Sequence, residues 1–175
     1  MAEARILGAV LAGGQSSRFG SDKALVELAG TTLIARAVET LSGWCEHVVI
    51  TGRTHGPAHC LPDWPSAQMG PLAGLAAALR FAVDEGYDAV LSCGVDSPNL
   101  PDNLPDLLGP APACLASQPV IGLWPASAAR EIEAILQSDS RHSMYALAEA
   151  VGARLVEGPE GLANINTPGD LAGLG

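Results

Sequence analysis

Between residues 11 and 25 the chain reads Leu11-Ala12-Gly13-Gly14-Gln15-Ser16-Ser17-Arg18-Phe19-Gly20-Ser21-Asp22-Lys23-Ala24-Leu25. Glycines let backbone N–H groups turn toward one point and approach a ligand with no β-carbon in the way, so Gly13, Gly14 and Gly20 can form a concave anion nest. Arg18 can fork onto phosphate oxygens and Lys23 supplies a point charge, a pairing suited to a triphosphate. The spacing excludes a Walker A loop, which needs Lys directly after its second Gly, and the dinucleotide fingerprint Gly-x-Gly-x-x-Gly. A flexible surface loop is the other use of such glycines, but it does not account for an Arg and a Lys framing them.

Two further groups carry chemistry. Asp96 lies in a Gly94-Val95-Asp96-Ser97-Pro98 turn, and a single well-placed carboxylate is enough for Mg²⁺, a hard cation that takes most of its remaining oxygens from substrate phosphates and water. Capping the Ser-Pro turn is the alternative use of that Asp. Asn164 and Asn166 alternate around Ile165, which on an extended segment puts both amides on one face, able to meet phosphate, ribose or metal-bound water. An Asx turn capping a helix that begins near Pro168 competes with that reading.

These residues need a scaffold that gathers them. The apolar runs 6–11, 47–51 and 89–92 are short, rich in Val, Ile and Leu, and do not alternate strictly, the pattern of strands covered on both faces. Helical stretches at 32–41, closed by Gly43, and 71–84, opened by Pro71 and ended before Gly86, lie between them. Alternation of this kind predicts right-handed crossovers and a mostly parallel sheet, with ligands beyond the carboxyl ends of the strands. The glycine-rich loop and Asp96 both follow such strands. Beyond Pro101 the pattern predicts a helix at 103–108, weak strands at 113–116 and 120–124, helices at 127–137 and 143–151, and a last strand at 154–156, together an appended lobe on the same sheet. The expected fold class is α/β, and residues 1–175 form a single domain.

Composition narrows the partners. Hydrophobic residues make up 48% and charged residues 16% of the chain, which excludes a disordered segment, and no apolar run is long enough to span a bilayer. A net charge of −10 with only nine scattered Lys and Arg excludes a nucleic-acid partner. Against that charge, Arg18 and Lys23 within one loop stand out as local support for a polyanion. The N-terminus lacks the basic start and long apolar segment of an export signal, and Cys45, Cys60, Cys93 and Cys114 form no Cys-x-x-Cys pair, so a cytoplasmic protein with reduced thiols is expected. His55, His59 and Cys60 are close enough to suggest zinc, but an intervening Gly-Pro and the lack of a fourth ligand favour an ordinary polar loop. The tryptophans are too far apart to form a base-stacking platform.

The pattern Leu-Ala-Gly-Gly-x-Ser-x-Arg-x-Gly-x-Asp-Lys-x-Leu resembles the signature of nucleotidyltransferases, especially the molybdenum cofactor guanylyltransferases. Three more segments extend the resemblance in the same order: Gly70-Pro71-Leu72-Ala73-Gly74-Leu75, Val95-Asp96-Ser97-Pro98 and Asn164-Ile165-Asn166-Thr167-Pro168. The resemblance implies a three-layer Rossmann-like, GT-A-like fold. It also implies transfer of GMP from Mg·GTP to the terminal phosphate of molybdopterin, with pyrophosphate leaving and no covalent enzyme intermediate. Carried over by matching position, Lys23, Arg18 and Asp96 become catalytic, with Asp96 also the Mg²⁺ ligand. Leu11, Ala12, Gly13, Gly14, Lys23, Asp63, Gly70, Pro71, Leu72, Asn164 and Asn166 become nucleotide-binding. Gly13 and the 70–74 segment follow the guanylyl rather than the cytidylyl pattern. Cytidylyl transfer, nucleotidyl transfer to a sugar phosphate, and nucleotide binding without catalysis are the alternatives. Arg141 and His142 resemble the basic patch that relatives direct at the pterin, a solvated helix start being the alternative, and transient contact with proteins that deliver molybdopterin or mature molybdoenzymes is implied. The chain departs from the relatives at Ser117-Gln118-Pro119, where they have a longer segment ending in His-Pro.

Overall fold

A computed structural model describes residues 3–13, 22–67, 69–160, 162, 164–165 and 167–172 of the chain. Gly14, Arg18 and Asn166 therefore lie outside the described residues. The strands are β1 (Ile6–Leu11), β2 (Glu27–Leu28), β3 (Thr31–Thr32), β4 (His47–Thr51), β5 (His59–Leu61), β6 (Ala89–Cys93), β7 (Ala113–Leu115), β8 (Gly122–Pro125) and β9 (Arg154–Val156). The helices are α1 (Leu33–Ser42), α2 (Pro71–Glu85), α3 (Leu104–Leu108), α4 (Ala129–Leu136), α5 (Met144–Val151) and α6 (Pro168–Ala172).

Seven strands form one sheet in the order β5-β4-β1-β6-β8-β7-β9. β1 lies at its heart, parallel to β4 on one side and β6 on the other, with Leu11 opposite Thr51 and Val10 opposite Cys93. Its side chains divide by the period of two that a pleated strand imposes. Leu7, Ala9 and Leu11 enter a core with Leu72, Leu75 and Leu79 of α2, Ile132 of α4 and Leu147 of α5. Val10 and Ala12 enter a second core with Ile34 and Leu41 of α1 and Leu104 and Leu108 of α3. The result is three layers, helices on both faces of a mostly parallel sheet, as expected of a strand run without polar alternation.

Local signals set the helix ends. Thr32 caps α1, its hydroxyl accepting from the Ala35 N–H at 3.2 Å, and α1 turns Leu33, Ile34, Ala37 and Leu41 inward. Gly70 at φ 81° precedes Pro71 at the start of α2, and Gly86 at φ 78° ends it in the left-handed conformation that glycine adopts without steric cost.

Three features differ from the expected layout. Residues 113–156 add to the same sheet, as expected, but not by parallel pairing alone: β8 pairs antiparallel with β6 over Ala89–Ser92 and with β7, while β9 runs parallel to β7. The 55–60 stretch is not loop throughout, because His59-Cys60-Leu61 pairs in parallel with β4 as β5. A hairpin of β2 and β3 turns at Ala29 and Gly30, both at positive φ, and Arg36 Nε donates to the Leu28 carbonyl at 2.9 Å to hold it against α1. Trp124 is fully buried, its indole N–H donating to the Ser92 hydroxyl at 3.0 Å, so it is a core residue with its polar atom satisfied. No helix among the described residues is long and apolar enough to cross a membrane.

Candidate active site

The carboxyl ends of β4, β1 and β6 stand side by side, and the segments leaving them build the site. After β1, the Ala12 N–H donates to the Thr51 carbonyl at 3.0 Å, extending the ladder by one rung before Gly13. After β4, Gly52 adopts φ 82° and its N–H donates to Leu61 of β5 at 3.0 Å. Gly13 and Gly52 pack backbone against backbone: a β-carbon on Gly52 would collide with Gly13 Cα and lie 2.6 Å from its nitrogen. A β-carbon on Gly13 would lie 3.1 Å from Asp63 Oδ2, and one on Gly74 would lie 2.5 Å from the Thr51 hydroxyl. Three glycines from separate elements thus allow Asp63 and Thr51 to converge.

Asp63 is held there by its neighbour, since the Trp64 N–H donates to the Ala73 carbonyl in the first turn of α2 at 3.0 Å. A cleft of about 820 Å³ opens at this point, lined by Ala12, Gly13, Gly52, Arg53, Pro62 and Asp63. Behind it Thr51 Oγ1 and Asp63 Oδ1 are buried, and among the described residues neither has a hydrogen-bond partner. Buried polar atoms are nearly always paired, so these two oxygens carry unmet bonding and a desolvation cost at the base of the cleft. Burial also pushes the Asp63 carboxyl above its ordinary value of 3.8.

That upward shift has a consequence for stability. A carboxyl whose folded value exceeds its unfolded one binds more protons in the native state, so stability falls as pH rises from the unfolded value through the folded one. Asp63→Asn removes this penalty and gives Thr51 an amide donor. Thermal unfolding is expected to show the variant more stable than wild type at pH 7, the difference vanishing as pH falls to 3.8. Nucleotide binding is expected to weaken at the same time, the usual opposition of site chemistry and stability.

A second cluster joins three distant parts of the chain. Lys23 opens a 3-10 turn (Lys23–Leu25), and its ammonium donates to the Ile165 carbonyl at 2.7 Å. The Ile165 N–H donates to the Asp96 carbonyl, also at 2.7 Å. Ile165 is fully buried beside Leu33, against Val26, Leu28 and Val95, and this small cluster fixes both contacts. Lys23 and Asp96, which the sequence separates by 73 positions, are thus joined through one residue of the Asn164–Asn166 segment. Asn164 is exposed beside it. At the start of α6 Thr167 and Asp170 each donate an N–H to the other's side chain, at 3.0 and 3.2 Å.

Of the other expected site residues, Gly70 and Pro71 are exposed at the start of α2, while Leu11 and Leu72 are buried in the core and can offer the cleft only their backbone. Asp96 is half-buried, and Gly94 leaves the space into which its carboxylate folds: a β-carbon there would lie 2.8 Å from Oδ1. Among the described residues no group of three or more His, Cys, Asp and Glu is placed to hold a metal. Asp96 therefore fits a hard cation that draws its remaining oxygens from substrate and water, as Mg²⁺ does, and not one needing a full protein cage. The sequence did not point to Thr51, Gly52 or Arg53. A glycine at the very end of β4 was the available signal.

The model of the MobA-like NTP transferase domain matches residues 8–155, most of the chain from β1 into β9. The chain belongs to the MobA-like NTP transferase family. Within that family it is 37% identical to a molybdenum cofactor guanylyltransferase of Rhodobacter capsulatus, over 96% of this chain and 94% of the relative. It is 35% identical to one from Acidiphilium cryptum over 93% and 90%. The molybdopterin-guanine dinucleotide biosynthesis protein A of Archaeoglobus fulgidus shares the MobA-like fold with a TM-score of 0.73 at 24% identity, covering 96% of each chain.

Proposed function

We propose that this chain transfers GMP from Mg·GTP to the terminal phosphate of molybdopterin and releases pyrophosphate. The names of the relatives support the acceptor. The observation that carries the nucleotide is Asp63, a half-buried carboxylate that lines the cleft. Of the four bases, guanine alone carries two adjacent N–H donors on its pairing edge, which a carboxylate can accept together. A site built to accept hydrogen bonds rejects ligands that leave it unpaired.

With guanine against Asp63, the triphosphate runs toward Lys23 and Asp96. Lys23 has three N–H donors, so it can keep the Ile165 carbonyl and add a phosphate oxygen. Arg18, Gly14 and Asn166 belong to the same phosphate-binding set in this reading, with Gly70 and Pro71 flanking the base. Asp96 would hold Mg²⁺, whose chemistry is to neutralise charge on the phosphates and draw off the leaving group. A phosphate oxygen of the acceptor forms the new bond to the α-phosphorus while the bridge to the β-phosphate breaks, and pyrophosphate carries away the electrons. The chain's contribution is positioning and fixed charge. Burial pushes the Cys45 and Cys93 thiols up to about 12, which unfits them as nucleophiles. The four cysteines are free thiols.

Thermal unfolding with Mg²⁺ and each of GTP, CTP, ATP and UTP tests the nucleotide assignment, because a ligand that binds the native state raises the unfolding midpoint. GTP is expected to give the largest shift. A larger shift with CTP moves the activity to cytidylyl transfer, and equal shifts leave a site that reads only the triphosphate.

A further inference from the structure

The segment between Gly13 and Lys23 starts and finishes against the same two residues. At its start, Gly13 packs on the backbone of Gly52. At its finish, Asp22 takes both arms of the next residue, Arg53, with Nη1 to Oδ1 at 3.1 Å and Nη2 to Oδ2 at 2.6 Å. Gly52 is itself fixed to β5 through the Leu61 carbonyl, so Arg53 leaves from an anchored point at the sheet edge. Its side chain is only 19% exposed and lines the nucleotide cleft, whereas Asp22 is 44% exposed. Asp22 is in turn bound to the turn it precedes, because Oδ1 accepts from the Ala24 N–H at 3.3 Å and caps residues 23–25.

We infer that Arg53 is a positioning residue for the triphosphate, acting through Asp22 to set where Lys23 stands relative to Gly13. This rests on the reading of the Gly13–Lys23 segment as the triphosphate-binding loop. The geometry gives the reason. Lys23 is held at its ammonium by Ile165, but its backbone is placed by the Asp22 turn, and the one side-chain ion pair joining that turn to the opposite wall is Arg53–Asp22, among the described residues. Fixing Gly13 and Lys23 in advance removes placement that the ligand would otherwise have to supply on binding. A planar guanidinium that grips both carboxylate oxygens sets angle as well as distance, which an ammonium cannot do. The Arg53 guanidinium also holds the Asp22 carboxyl below its ordinary range, so the pair is intact across neutral pH. Such a partly exposed pair contributes little to folding. Its removal should therefore show in ligand binding and not in the unfolding midpoint.

The experiment is isothermal titration of Mg·GTP into the full chain as wild type, Arg53→Ala, Arg53→Lys, Asp22→Asn and the Arg53→Ala/Asp22→Asn double variant, with unfolding midpoints and acceptor KM measured beside it. Asp22→Asn keeps the oxygen that caps Ala24 and loses the charge that Arg53 grips. Each of Arg53→Ala and Asp22→Asn is expected to weaken GTP by about tenfold, with the double variant no weaker than the singles because one contact is lost in all three. Arg53→Lys should recover part of the affinity, and midpoints and acceptor KM should stay near wild type. Wild-type affinity in Arg53→Ala overturns the inference. So does a weakened Arg53→Ala beside an unaffected Asp22→Asn, which would make Arg53 a direct ligand. A wild type that binds none of the triphosphates overturns the nucleotide reading and this inference with it, whereas the first two outcomes leave that reading standing.

Discussion

Asp96→Asn is expected to lower turnover by about a thousandfold or more, since it keeps the shape of the side chain but removes the charge a hard cation needs, at a step where several kcal/mol of barrier depend on charge neutralisation. GTP affinity should fall much less. Lys23 stays in place because its anchor is the Ile165 carbonyl, and Ile165 is held by the Asp96 backbone, which the substitution does not touch. Pyrophosphate release from GTP with molybdopterin, followed across a magnesium titration, measures both effects: the maximal rate should collapse in the variant, and excess Mg²⁺ should not restore it. Turnover near wild type would leave Asp96 as a turn residue beside Ser97, whose hydroxyl donates to Gln118 at 2.6 Å. Activity of wild type with a different phosphorylated acceptor, and none with molybdopterin, would keep Asp96 and discard the pterin. Gln118, bonded to Ser97 next to Asp96, is the residue to vary next in that event.

The second large effect belongs to Gly52. An alanine there must hold φ at 82° and press its β-carbon into the backbone of Gly13. Strain and overpacking together are expected to cost about 2–4 kcal/mol. For a chain of this length that lowers the unfolding midpoint by roughly 5–15 °C. GTP binding should be lost as well, because relief can come only by moving Gly13 or Asp63. Gly30→Ala is the control: its φ is 85°, yet nothing lies within 4 Å of the added carbon. That variant should show only the backbone strain of about 1–2 kcal/mol and bind GTP normally. If Gly52→Ala behaves no worse than Gly30→Ala, the close approach of the two glycine backbones is not what shapes the cleft.

The difference between those two glycines shows what could and could not be read beforehand. Long buried runs such as 6–11 and 89–92, and the Pro71 and Gly86 boundaries of α2, are signals carried within a few residues, so the core strands and main helices were legible. β2, β3 and β5 were not, because strands of two or three residues with Glu, Thr or His in them leave no periodicity to detect. The antiparallel insertion of β8 between β6 and β7 was hidden for another reason: pairing direction depends on the path of the connections, not on strand composition. At the site, Gly13, Lys23 and Asp96 were visible as loop chemistry after strands. Asp63 could be singled out only by resemblance, since a loop Asp among prolines says nothing of its surroundings. Thr51, Gly52 and Arg53 act through contacts with residues 13, 22 and 63, which no local pattern encodes.

The contact of Ile165 with both Lys23 and Asp96 also sets an order of events during synthesis. The seven-stranded sheet is complete once Val156 has left the ribosome, so the two cores can close around it while the site still lacks Ile165. Only when the chain has lengthened past that residue can Lys23 find the carbonyl that holds its ammonium, and only then does the buried cluster of Leu33 and Ile165 form. A nascent chain would therefore pass through a stage with a formed scaffold and an unassembled triphosphate site, and nucleotide capture would wait until the segment around Ile165 has docked.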